Sequence, residues 1–210
     1  KDFYPEAVAM TWAIELCDVL HFLHSHKPQP IVFRDMKPSN VMINQYNRVV
    51  LIDFGIAKIF KTGIKGTMVG TEGYAPPEQY RGDDTPLADI YALGATLHHL
   101  LTKRDPRLEP PFTYHERPIR ELNPGISEKF EQIVMKALSY SPEERFQTAL
   151  EMKDALVDLS RSSGHFQGMS TSYIYQPTSE SPESIKDTRT AWSYQTQDEI
   201  RGSPICKDGT

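Results

Sequence analysis

Ile31-Val32-Phe33-Arg34-Asp35-Met36-Lys37-Pro38-Ser39-Asn40 puts a carboxylate, an ammonium and an amide into one short loop. Apolar runs flank it, Pro30 to Phe33 before and Val41 to Ile43 after. Rigid flanks suit a catalytic loop, because misplacing a reacting group by about an ångström costs roughly 100-fold in rate. A second apolar run, Val49-Val50-Leu51-Ile52, ends in Asp53-Phe54-Gly55. Val41 to Asn44 and Arg48 to Ile52 read as two strands joined by the turn residues Gln45-Tyr46-Asn47. Such a hairpin carries the loop at one end and Asp53 at the other, so spacing alone brings Asp35, Asn40 and Asp53 together. Two acidic groups and an amide at the ends of short strands are the parts of a metal–phosphate site.

The loop resembles the H-R-D-x-K-x-x-N catalytic loop of protein kinases, and Asp53-Phe54-Gly55 resembles their D-F-G motif. Phe33 stands where the family usually has His or Tyr, a position that packs more than it reacts. Gly70-Thr71-Glu72-Gly73-Tyr74-Ala75-Pro76-Pro77-Glu78 is similar to the end of the kinase activation segment, with Pro76-Pro77-Glu78 in place of A-P-E. Asp89-Ile90-Tyr91-Ala92-Leu93-Gly94 resembles the family's D-x-W/Y-x-x-G run.

That resemblance implies roles. Asp35 would accept the proton of a substrate hydroxyl, and Lys37 would offset charge on the transferring phosphoryl group. Asn40 and Asp53 would hold the Mg²⁺ of ATP, and Met42 matches the position beneath the adenine. Arg34, Phe54, Gly55, Thr71, Glu78, Asp89 and Arg145 would support the site. Among them Asp89 would accept from the catalytic-loop backbone, Thr71 would bond toward Asp35 and Lys37, and Arg145 would pair with Glu78. A Lys two places after the Asp is the pattern of serine/threonine kinases. Thr62 and Thr67 are candidates for regulatory phosphorylation, where a phosphate could pair with Arg34.

The rest of the chain reads as helices around this centre. Pro5 to about His24 is expected to be helical, with Val8, Trp12, Leu16, Val19 or Leu20, and Leu23 on one face. His21, His24 and His26 invite a metal reading, but only His21 and His24 share a face and no carboxylate or thiolate has a matching spacing. Gly55 to Gly73 loses periodicity and reads as a gating loop. Thr85 can cap a helix that Pro86 starts and that runs to Leu101. Apolar groups nearly all round that helix put it mid-domain, where Asp89 needs donors; His98 and His99 read as structural. Lys103 to Pro124 is proline-rich, trimmed relative to the family's usual helix there, which puts the usual protein-substrate docking surface in doubt. Ser127 to Leu138 is amphipathic, with Phe130, Ile133, Val134, Ala137 and Leu138 inward. A last helix opens with a capping box, Thr148 with Glu151, and carries Leu150, Ala155, Leu156 and Leu159 as apolar positions.

The expected fold is therefore α+β and mostly α. It is a helical lobe with a small catalytic hairpin, similar to the C-terminal lobe of a protein kinase, over residues 1–160. Residues 161–210 read as a disordered Ser/Thr-rich tail or linker, since no Leu or Val follows Leu159. A glycine-rich G-x-G-x-x-G loop, a V-A-I-K lysine and its partner Glu are missing, so the N-terminal lobe is expected to lie outside this chain. The opening Lys1-Asp2-Phe3, without Met, also suggests a fragment.

The chain has 210 residues, is 39% apolar and carries a net charge of −5. That balance offers no basic face for nucleic acid, and the apolar runs read as too short to cross a bilayer. Cys17 reads as a small core residue and Cys206 as part of the polar tail, consistent with a reducing compartment. The function expected is ATP-dependent phosphorylation of protein serine or threonine hydroxyls. The fragment alone is expected to be inactive. Expected partners are ATP, Mg²⁺, a protein acceptor and a second copy of the chain for autophosphorylation. The expected place is the cytoplasm, alone or as the cytoplasmic part of a membrane protein. Two rival readings are a pseudokinase-like scaffold and a small-molecule phosphotransferase of the antibiotic-kinase type. Lys37, the activation-type segment and the Glu78–Arg145 pair disfavour the second rival.

Overall fold

The computed structural model describes residues 3–55, the backbone of 58–59, and 70–163. The chain divides into units Lys1–Gly168 and Met169–Thr210, and the description is of the first. Thr62, Thr67, Cys206 and the tail beyond Ser163 lie outside the described residues.

Helix α1 spans Glu6–His24 and starts at Pro5, whose carbonyl accepts from Val8 N (3.0 Å) and Ala9 N (3.2 Å). Burial runs further round it than one face: Ala9, Met10, Ala13, Ile14 and Cys17 are buried beside Trp12, Leu16, Leu20 and Leu23. The helix packs against the helices Pro86–Thr102 and Ala149–Ser162 and the strands Ile31–Val32 and Val49–Leu51. By length and composition it could cross a membrane, contrary to the sequence expectation, but more than half of the qualifying window is buried inside the fold. Glu15 marks it as a core helix: its carboxylate accepts from Val49 N at 2.7 Å and pairs with Arg48.

Among the described residues four short strands follow. β1 (Ile31–Val32) pairs antiparallel with β4 (Lys58–Ile59), with Ile31 opposite Ile59. β2 (Val41–Ile43) pairs with β3 (Val49–Leu51), with Met42 opposite Val50. The hairpin is as expected; β4 falls in the stretch read as loop, because a two-residue strand has no periodicity to detect.

Helix α2 (Pro86–Thr102) runs through the middle and is buried on nearly every side. Thr85 takes the N-cap backbone conformation, but its side chain does not cap. The hydroxyl is buried and has no hydrogen-bond partner among the described residues, while Thr85 O accepts from Ala88 N at 2.9 Å. The segment after α2 is not free of helix. It forms 3₁₀ turns at Pro106–Leu108 and Tyr114–Glu116 and one helical turn, α3 (Ile119–Leu122). Tyr114, Ile119 and Ile126 anchor it in the core, and Asn123 Nδ2 donates to Leu101 O at 3.0 Å. Isolated anchors spaced by prolines leave no helical period to read.

Helix α4 (Glu128–Ala137) is capped by Ser127, whose hydroxyl accepts from Phe130 N. Helix α5 (Ala149–Ser162) is capped by Thr148, which accepts from Glu151 N at 3.0 Å. Glu151 reaches back to Gln147 N at 2.8 Å, one residue short of the reciprocal bond of a full capping box. Leu150 is exposed, and Met152 takes an inward place beside Leu156 and Leu159. Among the described residues the result is a mostly helical α+β fold with two small two-stranded sheets.

Candidate active site

Asp89 lies in the first turn of α2 and is fully buried. Its carboxylate accepts from Phe33 N (2.8 Å, Oδ2) and Arg34 N (2.7 Å, Oδ1), and Oδ2 also meets His24 Nε2 at 2.8 Å. A buried carboxylate is stable only with such partners. One side chain thus joins the end of α1, the loop and α2. Gln79 Nε2 donates to Arg34 O (3.2 Å), and Thr96 Oγ1 bonds Met36 O (3.2 Å) and Ala92 O (2.8 Å). Phe33 is fully buried and meets Phe54 edge to face, centroids 5.2 Å apart, so it packs as expected.

The loop turns sharply at Arg34, which holds φ 74°, a left-handed conformation costly for a side-chain-bearing residue. Its guanidinium lies 3.1 Å from Asp84. The next residue faces the site. Asp35 Oδ1 accepts from Thr71 Oγ1 at 2.6 Å, and Oδ2 accepts from Asn40 Nδ2 at 2.9 Å. Lys37 Nζ lies 2.7 Å from Oδ2 and donates to Thr71 Oγ1 at 2.8 Å. Asn40 Nδ2 also donates to Asp35 O. Burial opposes ionisation of Asp35, but the bonds from Lys37, Thr71 and Asn40, with the charge of Lys37, outweigh it. The carboxyl therefore sits below its ordinary range. The arrangement can hold an ionised proton acceptor beside one ammonium at neutral pH.

Ile52 N donates to Asn40 O at 2.9 Å, which brings the end of β3 beside the loop. Asp53 follows with φ 60° and is exposed; its Oδ1 accepts from Gly55 N at 3.1 Å. No hydrogen bond joins its side chain to Asp35 or Asn40 among the described residues. Met42 is on the outer face of the hairpin, 55% exposed.

Glu78 and Arg145 form the expected pair. Arg145 is 1% exposed and donates to both Glu78 oxygens, at 2.5 and 3.0 Å. It also bonds Ser139 O, Leu87 O and Tyr140 O, and its guanidinium lies 4.8 Å from the Tyr91 ring centroid. Upstream, Gly73 takes φ 84°, and a Cβ there would stand 2.7 Å from the Pro106 backbone. Tyr114 Oη donates to Gly73 O at 2.6 Å, and Tyr74 Oη meets His99 Nδ1 at 2.6 Å. The segment after α2, with His99 at the end of that helix, therefore holds the stretch leading to Glu78.

His24, Gln79, Thr96, Glu15 and Tyr114 all hold the site and were not singled out for it in the sequence. Their partners lie 34 to 65 residues away, and no local pattern announces them.

Residues 1–156 match the protein kinase domain. The chain is 36% identical over 166 residues to the serine/threonine-protein kinase PknB of Mycobacterium leprae, covering 73% of this chain and 26% of that protein. It is 38% identical over 162 residues to PknB of Mycobacterium tuberculosis, covering 68% and 25%. It is 34% identical over 173 residues to the tyrosine-protein kinase MasK of Myxococcus xanthus, covering 74% and 27%. The chain thus spans about a quarter of the length of these curated relatives. With the kinase domain matched over most of its length, the chain belongs to the protein kinase family.

Proposed function

We propose that this chain is the C-terminal lobe of an ATP-dependent serine/threonine protein kinase, with Asp35 as the base. The observation that carries the reading is the bonding of Lys37, Asn40 and Thr71 onto one carboxylate. Asp35 would orient the acceptor hydroxyl and take its proton. Lys37, held by Thr71, would stand beside the transferring phosphoryl group as a fixed positive charge.

The donor set fits Mg²⁺, which prefers hard oxygens and keeps several of its own waters. Asn40 spends its amide nitrogen on Asp35, and its Oδ1 has no partner among the described residues. Asp53 likewise keeps Oδ2 open. Asn40 and Asp53 would hold the ion, which supplies charge neutralisation on the ATP phosphates. Met42 and Val50, paired across the hairpin, leave apolar surface uncovered, suited to an adenine and to the second lobe of a kinase. Use of ATP would put the reaction in the cytoplasm.

The Lys37–Thr71 link supports serine or threonine as acceptor over tyrosine, although one relative carries tyrosine kinase in its name. The test uses the longer protein that includes the second lobe. Asp35→Asn should lower kcat by about 100-fold or more, with the product identified as phosphoserine or phosphothreonine. Unchanged turnover, or phosphotyrosine as the product, overturns the assignment. Because the bonds from Lys37, Thr71 and Asn40 hold the Asp35 carboxyl below the usual carboxylate range, base-limited turnover should stay flat from pH 8 down to about pH 5.

A further inference from the structure

Arg34 is held at three points, and one stretch of chain supplies all three. Gln79 Nε2 donates to its carbonyl at 3.2 Å, Asp89 Oδ1 accepts from its amide at 2.7 Å, and the Asp84 carboxylate lies 3.1 Å from its guanidinium. The first two bonds fix the backbone, and the third joins charges. Gly82, at φ 80°, turns the chain after Gln79 and sets Asp84 two residues before α2.

Both charged side chains are enclosed, Arg34 at 6% exposure and Asp84 at 7%. A guanidinium stays charged at any ordinary pH, so it is buried stably only beside an anion. The neighbouring carboxylates are committed elsewhere. Asp89 serves two amides and His24, while Asp35 holds Thr71, Asn40 and Lys37. Arg34 also carries φ 74°, a conformation that persists only where the surroundings over-determine it. Next to it in the chain is Asp35, the carboxylate on which the site is built.

The sequence offers a phosphate on Thr62 or Thr67 as an anion for Arg34. The structure puts a carboxylate on that guanidinium from within the fold. A phosphate carries about −1.5 to −2 charge at pH 7 and is repelled beside an Asp. To take the guanidinium it would have to displace an enclosed side chain.

We propose that Asp84 is the built-in anion of the catalytic loop, a positioning residue that fixes Arg34, and through it Asp35, without a phosphate. The catalytic consequence rests on the kinase reading; the positioning does not. On that reading, the longer protein with the second lobe turns over before Thr62 or Thr67 is modified.

The test has two parts. In the full chain, Asp84→Asn keeps the shape and removes the charge. It should speed hydrogen exchange of the Phe33 and Arg34 amides about tenfold and leave Leu97, within α2, unchanged. Equal acceleration at Leu97 means that Asp84 supports the fold as a whole, and no acceleration means that Arg34 does not depend on it; either overturns the proposal. In the longer protein, Asp84→Asn should lower kcat about tenfold with the KM for ATP unchanged. Thr62→Ala together with Thr67→Ala should leave kcat within about twofold. A loss there that matches the loss at Asp84 makes a phosphate the anion and overturns the proposal. If the unaltered longer protein transfers no phosphate, the kinase reading fails, and hydrogen exchange still decides the role of Asp84.

Discussion

The loop from Phe33 to Asn40 and the hairpin from Val41 to Leu51 adjoin in the chain and differ in finish. Beneath the loop, Asp89 takes two backbone amides and His24, while Gln79 and Thr96 take the carbonyls of Arg34 and Met36. Across the hairpin, Met42, Ile43 and Val50 stand 55%, 40% and 42% exposed, with Phe54 beyond at 48%. The first region spends its contacts on fixing one geometry. The second leaves apolar surface open, which is the usual mark of a contact face. Rigidity is concentrated where a misplaced atom would matter most.

That contrast can be broken by substitution. Arg145→Ala removes a fully buried cation and strands Glu78, so the unfolding free energy should drop by about 4 kcal/mol in urea titrations. Asp89→Ala strands two buried amides and should cost about 3 kcal/mol; a loss below about 1 kcal/mol would mean that the loop does not depend on its underside. A third effect is in pH. Burial holds His98 down to about 4, against 6.5 for a free His, with Nε2 at 2.9 Å from Arg117 O. Between those values the unfolded chain binds a proton that the folded chain refuses. Stability is therefore complete above pH 6.5 and declines as pH falls toward 4, by about 2 kcal/mol at pH 5. His98→Gln should flatten that part of the pH dependence. On the hairpin, Met42→Ser and Val50→Ser should each shift stability by less than about 0.5 kcal/mol. A loss of 2 kcal/mol there would show that the face is covered within this chain.

What could be read from sequence follows the range of the interactions. The cap at Thr148, the start at Pro86 and the apolar run Val49 to Leu51 are local signals, and the elements formed there. Asp35, Lys37, Asn40 and Thr71 were legible as a resemblance, since their order along the chain carries it. The Asp89–His24 contact, the reach of Gln79 to Arg34 and the anchoring by Tyr114 were not, because each depends on how distant helices meet. Thr85 shows the reverse failure: a good capping residue whose hydroxyl finds nothing to cap. The membrane-like composition of α1 was missed because its buried Glu15 interrupts the apolar run, while the helix as a whole stays apolar enough on average.

Gly94 sits where α2 crosses α4, and a methyl there would stand 3.0 Å from Ala137 Cβ and 3.1 Å from Leu138 Cγ. The same helix carries Asp89 and Thr96, five residues before and two after. An error of a few tenths of an ångström in the spacing of two helices would thus be passed to the amides of Phe33 and Arg34 and the carbonyl of Met36. In a machinist's terms, the tolerance of the loop is ground at a bearing remote from it, and the smallest side chain in the alphabet sets the clearance.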